Sequence, residues 1–280
     1  MRQRLVPFAA IVAALTVIAA PVFGQWLRYP TAGVPRTRDG KVNLAAPAPR
    51  KDGKPDFSGI WLTGNPLPCE KSTGSDFLEC GAELPASREV FDIGSSLPEG
   101  LPFQPWALEL VQKRTRDQSK DDPHARCMPD TFVRAYGLPH MQKFIQVPGL
   151  LVMLDEMNAN YRQVFTDGRP LPVDPTPAWN GYSSGTWQGD TLVIRSAGFR
   201  NDLWLDIGGS FITDAAKTTE QIRRPDFGHL EIELTVDDPK AYTKPWTVKL
   251  KQAIQIDTDL VDEICLENEK SSQHLVGNQK

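Results

Sequence analysis

His229-Leu230-Glu231-Ile232-Glu233-Leu234-Thr235-Val236 is the stretch that decides the fold. Leu230, Ile232, Leu234 and Val236 fall on one side; His229, Glu231, Glu233 and Thr235 fall on the other. Side chains of a strand point alternately to opposite faces, so this is the pattern of an antiparallel strand buried on one face only. Trp246, Val248 and Leu250 alternate in the same way with Thr247, Lys249 and Lys251. Outward from this pair, strands are predicted at Lys143–Val147, Leu150–Glu156, Asn160–Thr166, Ser184–Gln188, Thr191–Ser196, Lys217–Arg224 and Leu260–Cys265. Pro148-Gly149, Asp167-Gly168 and Gly189-Asp190 read as tight turns, the last two as hairpins. About eight to ten short strands joined this way predict a mainly β, antiparallel meander that closes into a barrel or folds into a sandwich.

The N-terminal half is different. Asp56–Trp61 is the first strand-like segment, followed by a long irregular excursion over 62–104. Pro105–Gln118 reads as a single helix, opened by a proline at a first-turn position and given a partly apolar face by Trp106, Leu108, Leu110 and Val111. Residues 25–55 are rich in Pro, Gly, Lys and Arg and read as an extended leader. Residues 1–24 read as a Sec-type signal peptide: Arg2 and Arg4, an apolar run to Ala20, Pro21, then small residues before Gln25. The apolar run is shorter than the roughly 20 residues that a spanning helix needs. The expectation is therefore a signal peptide (1–24), a leader (25–55) and one β-rich domain (56–280), free in the periplasm or outside the cell and off the membrane.

Cleavage removes Arg2 and Arg4 and leaves 29 Lys and Arg against 35 Asp and Glu, a net of −6. A mildly acidic chain argues against a nucleic-acid partner, which calls for a basic face. Cys69, Cys80, Cys127 and Cys265 form an even set, which in an oxidising compartment points to two disulfides among three possible pairings. Cys69 and Cys80 bracket a Gly/Ser-containing loop and suit a local bridge, which leaves Cys127 with Cys265.

Gly59-x-Trp61 and Gly185-x-Trp187 each sit in a strand-like segment. A Gly-x-Trp on an early strand resembles the signature of lipocalin-like barrels, and that resemblance implies a Trp that plugs one barrel end. A broader set of motifs covers roughly residues 56–277. It comprises Asp122-Pro123-x-Ala125-Arg126-Cys127-x-Pro129, Phe165-Thr166-Asp167-Gly168-Arg169, Trp187-x-Gly189-Asp190-Thr191-Leu192-Val193, Trp204-Leu205-Asp206, Asp237-Asp238-Pro239-x-Ala241-Tyr242-Thr243-Lys244-Pro245-Trp246 and Cys265-x-Glu267-Asn268-Glu269. Together these resemble a family of exported bacterial proteins. The resemblance implies a secreted β-rich fold and pairing of Cys127 with Cys265, and implies no reaction. The chain departs from that pattern at Phe211-Ile212-Thr213, where relatives carry a Pro-His-Ser run, which puts any role of that histidine in doubt here.

The chain has no nucleophile elbow, P-loop, dinucleotide glycine fingerprint, C-x-x-C or H-E-x-x-H. His124, His140, His229 and His274 have no metal-ligand spacing, and a zinc site would have to be assembled from distant positions. No metal or cofactor is expected. The candidate site is placed at the barrel mouth near the 157–160 and 198–206 turns. Tyr161, Arg162, Arg200 and Trp204 are its ligand-binding candidates, and His140 and Asp206 its catalytic ones. Trp204 and Asp206 lie in a segment too polar for a core strand, an Arg can clamp a carboxylate or phosphate, and a His changes charge near neutral pH. The plain alternatives are that Arg162 pairs with Glu156 on the surface, that Trp204 packs on the barrel wall and that His140 is exposed. Inward faces as apolar as those of 229–236 and 246–250 favour a small, partly apolar ligand held in a barrel cavity. The alternative is a hydrolase, isomerase or lyase that uses the His/Asp/Arg/Tyr cluster.

Overall fold

The computed structural model describes residues 29–64, 87–267 and 270. Cys69, Cys80 and the segment read as a signal peptide lie outside these residues. The elements in chain order are β1 (Arg50–Lys51), β2 (Lys54–Pro55), β3 (Gly59–Thr63), α1 (Pro105–Arg116), α2 (Phe132–Ala135), β4 (Gln142–Val147), β5 (Leu150–Asp155), β6 (Tyr161–Phe165), β7 (Tyr182–Gln188), β8 (Thr191–Ala197), β9 (Leu203–Trp204), β10 (Phe211–Ile212), β11 (Lys217–Arg223), β12 (His229–Asp237) and β13 (Trp246–Gln255). Nine of the strands close a barrel in the order β11-β12-β13-β3-β4-β5-β6-β7-β8, with β8 paired to β11. Among the described residues the protein is thus a mainly β barrel with one substantial helix.

The deciding strand behaves as its alternation requires. β12 and β13 pair from Val236↔Trp246 to His229↔Ala253. Leu230, Ile232, Leu234 and Val236 are buried, as are Trp246, Val248 and Leu250. They pack with Leu151, Met153, Val164, Leu192, Ile194 and Ile222 into one core.

The barrel is mixed rather than wholly antiparallel, because β6 and β7 run parallel. A closed ring with an odd number of strands cannot alternate direction all the way round, so one parallel neighbour is obligatory. Asp167-Gly168 is therefore no hairpin: Gly168 has φ +88, and the chain leaves β6 there on a proline-rich connection to β7. Gly189-Asp190 does form the expected hairpin, with Gln188 opposite Thr191. Leu260–Cys265 is not a strand either. Only Glu263 bridges, to Met157, and a short 3-10 turn follows at Cys265–Glu267. Along α1 the apolar face is also displaced: Trp106 and Leu108 are exposed, and Ala107 and Arg114 are buried.

The two barrel ends differ in their closure. At the hairpin end the leader lies across the barrel rather than free of it. Phe227 and Gly228 donate to the carbonyls of Ala46 and Leu44, and Arg50 pairs with Asp190. Trp61 is fully buried there, donating to the Phe57 carbonyl with the Arg224 guanidinium over its ring. Gly59, at φ +148, has a backbone that favours glycine, with Ile254 and the Trp61 ring at contact distance. At the helix end, α1, α2 and the 198–216 loop cover the opening, and Cys127 is bonded to Cys265.

Candidate functional site

The helix end receives most of the residues that the sequence singles out, but it does not gather them into one site. Arg162 points into the barrel. Its guanidinium meets Glu220 on β11, donates to Ser183 and Ser196 at 3.1 and 2.9 Å, and lies 3.5 Å from the centre of the Phe132 ring. Tyr136 donates to Glu220 at 2.8 Å, and Ser183 and Ser196 bond each other at 2.9 Å. Arg162, Glu220 and Tyr136 are all buried. Burial pulls the Arg162 guanidinium down, but Glu220 and Tyr136 together outweigh it and the pKa ends above its ordinary value. The Tyr136 phenol is pushed well up by burial and then by Glu220. The expected surface pairing of Arg162 with Glu156 is overturned. A cation on an inward strand position needs an inward anion, and Glu220 on β11 supplies it.

Trp204 is buried between structural partners, with the Arg114 guanidinium 4.4 Å from its ring centre. Asp206 is wholly buried and accepts from the Ile93 and Ser210 backbone amides, both at 2.9 Å. Burial pushes its carboxyl up to about 6. Both residues shape the 203–210 loop. Arg200 is exposed near the Trp179 ring, and Tyr161 is exposed. His140 is half-buried on the approach to β4, and its Nδ1 lies 2.9 Å from a Glu263 oxygen. Glu156 stands beside them.

A cleft of about 400 Å³ opens instead at the hairpin end, where the sequence gives little warning. Half-buried Trp187 offers apolar surface to it, beside Leu151 and Leu192, which are themselves buried in the barrel core. Val147, Pro148 and Leu150 of the β4–β5 hairpin make one wall. The β1–β2 hairpin contributes Lys51, Asp52 and Lys54 to the rim. Lys51 donates to the Gln146 carbonyl at 2.8 Å and Lys54 to the Gly189 carbonyl at 3.1 Å, with Lys54 also 5.9 Å above the Trp187 ring. Each ammonium has three donors, so one backbone carbonyl leaves capacity for a ligand. Gln146 ties the leader to the barrel, accepting from the Phe57 amide and donating to the Pro55 carbonyl. The available signal was Asp52-Gly53, at φ 50 and 76, a hairpin turn inside a segment that otherwise reads as irregular. A second, more open groove of about 680 Å³ runs outside the barrel between the 171–177 loop and β8, β11 and β12.

Comparison with protein-family models, curated proteins and solved structures finds no match to this chain.

Proposed function

We propose that this protein is an exported binding protein for a small, partly apolar ligand that carries an acidic group, held in the cleft at the hairpin end. The observation that carries this reading is the apolar surface of Trp187, Val147 and Leu150 beside the ammonium groups of Lys51 and Lys54. A cleft of about 400 Å³ lies within the size range of small-molecule sites, which combine apolar walls with a few orienting polar groups. Binding is favoured over catalysis because Arg162 and Asp206, two of the reactive candidates, are buried and engaged with protein partners.

Export is supported by the signal-like residues 1–24 and by the Cys127–Cys265 disulfide, which suits an oxidising compartment. Among the described residues no helix is long and apolar enough to cross a membrane. Membership of the exported bacterial family, and kinship with lipocalin-like barrels through Gly59-x-Trp61, belong to the same proposal.

Decanoate is a suitable probe, joining an apolar chain to one carboxylate. Titrated into the protein, it is expected to change tryptophan fluorescence saturably, and Trp187→Phe is expected to remove most of that change. A saturable signal that survives intact in Trp187→Phe, or no signal in the wild type, would place the ligand elsewhere.

A further inference from the structure

We propose that His140, Glu156 and Glu263 bind a divalent cation of the zinc class. The three come from separate parts of the chain: the entry to β4, the residue after β5 and the C-terminal segment. Their ligand atoms all lie within 4.8 Å of one another. Zinc holds nitrogen and carboxylate oxygen at about 2.0–2.2 Å, so at a tetrahedral angle two ligands of one ion stand about 3.3–3.6 Å apart. The widest pair in the cluster therefore has to close by at most about 1.5 Å.

The backbone holds these groups in place. Glu263 donates its amide to the Glu156 carbonyl at 3.1 Å, and Asn158 donates to the Glu263 carbonyl at 2.7 Å. Two residues beyond Glu263, the Cys127–Cys265 disulfide fastens the segment to the stretch that leads into α2. One Glu156 oxygen accepts from the Met141 amide at 2.9 Å.

Charge supplies a separate argument. Glu156 is buried, and among the described residues no Lys or Arg pairs with it or with Glu263. A buried carboxylate without a cation is costly, and a bound metal ion removes that cost. Asp130 holds the Nδ1 of His124 and meets the Arg134 guanidinium at 3.3 Å, and the His124 ring lies 6.5 Å from that of His140. One imidazole and two carboxylates suit zinc better than calcium, which takes oxygen ligands alone. Three protein ligands leave the fourth position of a tetrahedral ion to water or a small ligand.

The test is a calorimetric titration of Zn2+ into the chelator-treated protein with its disulfide intact, with Tm measured in parallel. One zinc per chain and a raised Tm are expected. His140→Ala and Glu263→Gln should each weaken binding more than tenfold and abolish the rise in Tm. His229→Ala, at an exposed histidine away from the cluster, should leave both unchanged. Glu263 is an exposed side chain, so Glu263→Gln decides the matter even if His140→Ala fails to fold. A wild-type protein that takes up no zinc, or a Glu263→Gln variant that binds it as well as the wild type, overturns the proposal.

Discussion

The helix end and the hairpin end of the barrel are both rich in polar side chains, yet they use them in opposite ways. At the helix end Arg162, Glu220, Tyr136, Ser183 and Ser196 satisfy one another beyond the reach of water. Asp206 is likewise engaged with backbone amides. At the hairpin end Lys51 and Lys54 reach one carbonyl each beside the partly exposed Trp187, Val147 and Leu150. Polar residue types alone do not mark a binding site. What marks one is donor capacity left over next to apolar surface that a ligand can cover.

The largest expected effect lies at the helix end. The Cys127–Cys265 bond joins residues separated by 138 positions. In the chain-entropy account, removing it with Cys127→Ser/Cys265→Ser costs on the order of 5 kcal/mol. Urea unfolding measures this directly, and a loss under about 1 kcal/mol would show that the helix end does not depend on the bond. Next comes Arg162→Met, which leaves the Glu220 carboxylate buried without its cation. A destabilisation of roughly 3–5 kcal/mol is expected, with much of it recovered when Glu220→Met is added. If Arg162→Met were neutral, the network would be dispensable and a ligand role for Arg162 would reopen.

Asp206 gives a pH signature of intermediate size. Its folded pKa, about 6, lies above the ordinary value of 3.8 because of burial. The ionised form is thus disfavoured in the fold. The resulting penalty is absent below pH ~4, grows as pH rises towards 6 and is complete above that. The protein should therefore lose about 2 kcal/mol between pH 4.5 and 7 through this group. Asp206→Asn should remove that part of the slope, whatever its effect on absolute stability. Equal slopes in the two proteins would refute the assignment.

The sequence made the barrel legible wherever one strand face meets the core, because burial on one side imposes alternation. β12 and β13 are the clearest cases. It did not reveal the parallel β6–β7 neighbours, since that pairing follows from an odd strand count around a closed ring and not from any local pattern. Asp167-Gly168 misled because the same dipeptide serves a hairpin or a loop exit. Arg162 misled because its partner Glu220 is distant in sequence and the alternation of β6 is too short to show that position 162 points inward. His140 stands out in the sequence as a scarce histidine, but its neighbour Glu263 is hidden in a segment that resembles a strand. The lysines of the cleft were missed because the leader offers no periodicity, and only Asp52-Gly53 marks its hairpin.

The smallest expected effect is also the most direct test of which end binds. Decanoate titrated by calorimetry should bind the Lys51→Gln/Lys54→Gln protein roughly tenfold more weakly than the wild type, since an exposed charge contact contributes about 0.5–1 kcal/mol. The helix-end variant Tyr161→Phe/Arg200→Ala, altered only at exposed side chains, should bind as the wild type does. The reverse result, with binding intact in the lysine variant and lost in the helix-end variant, would contradict the account.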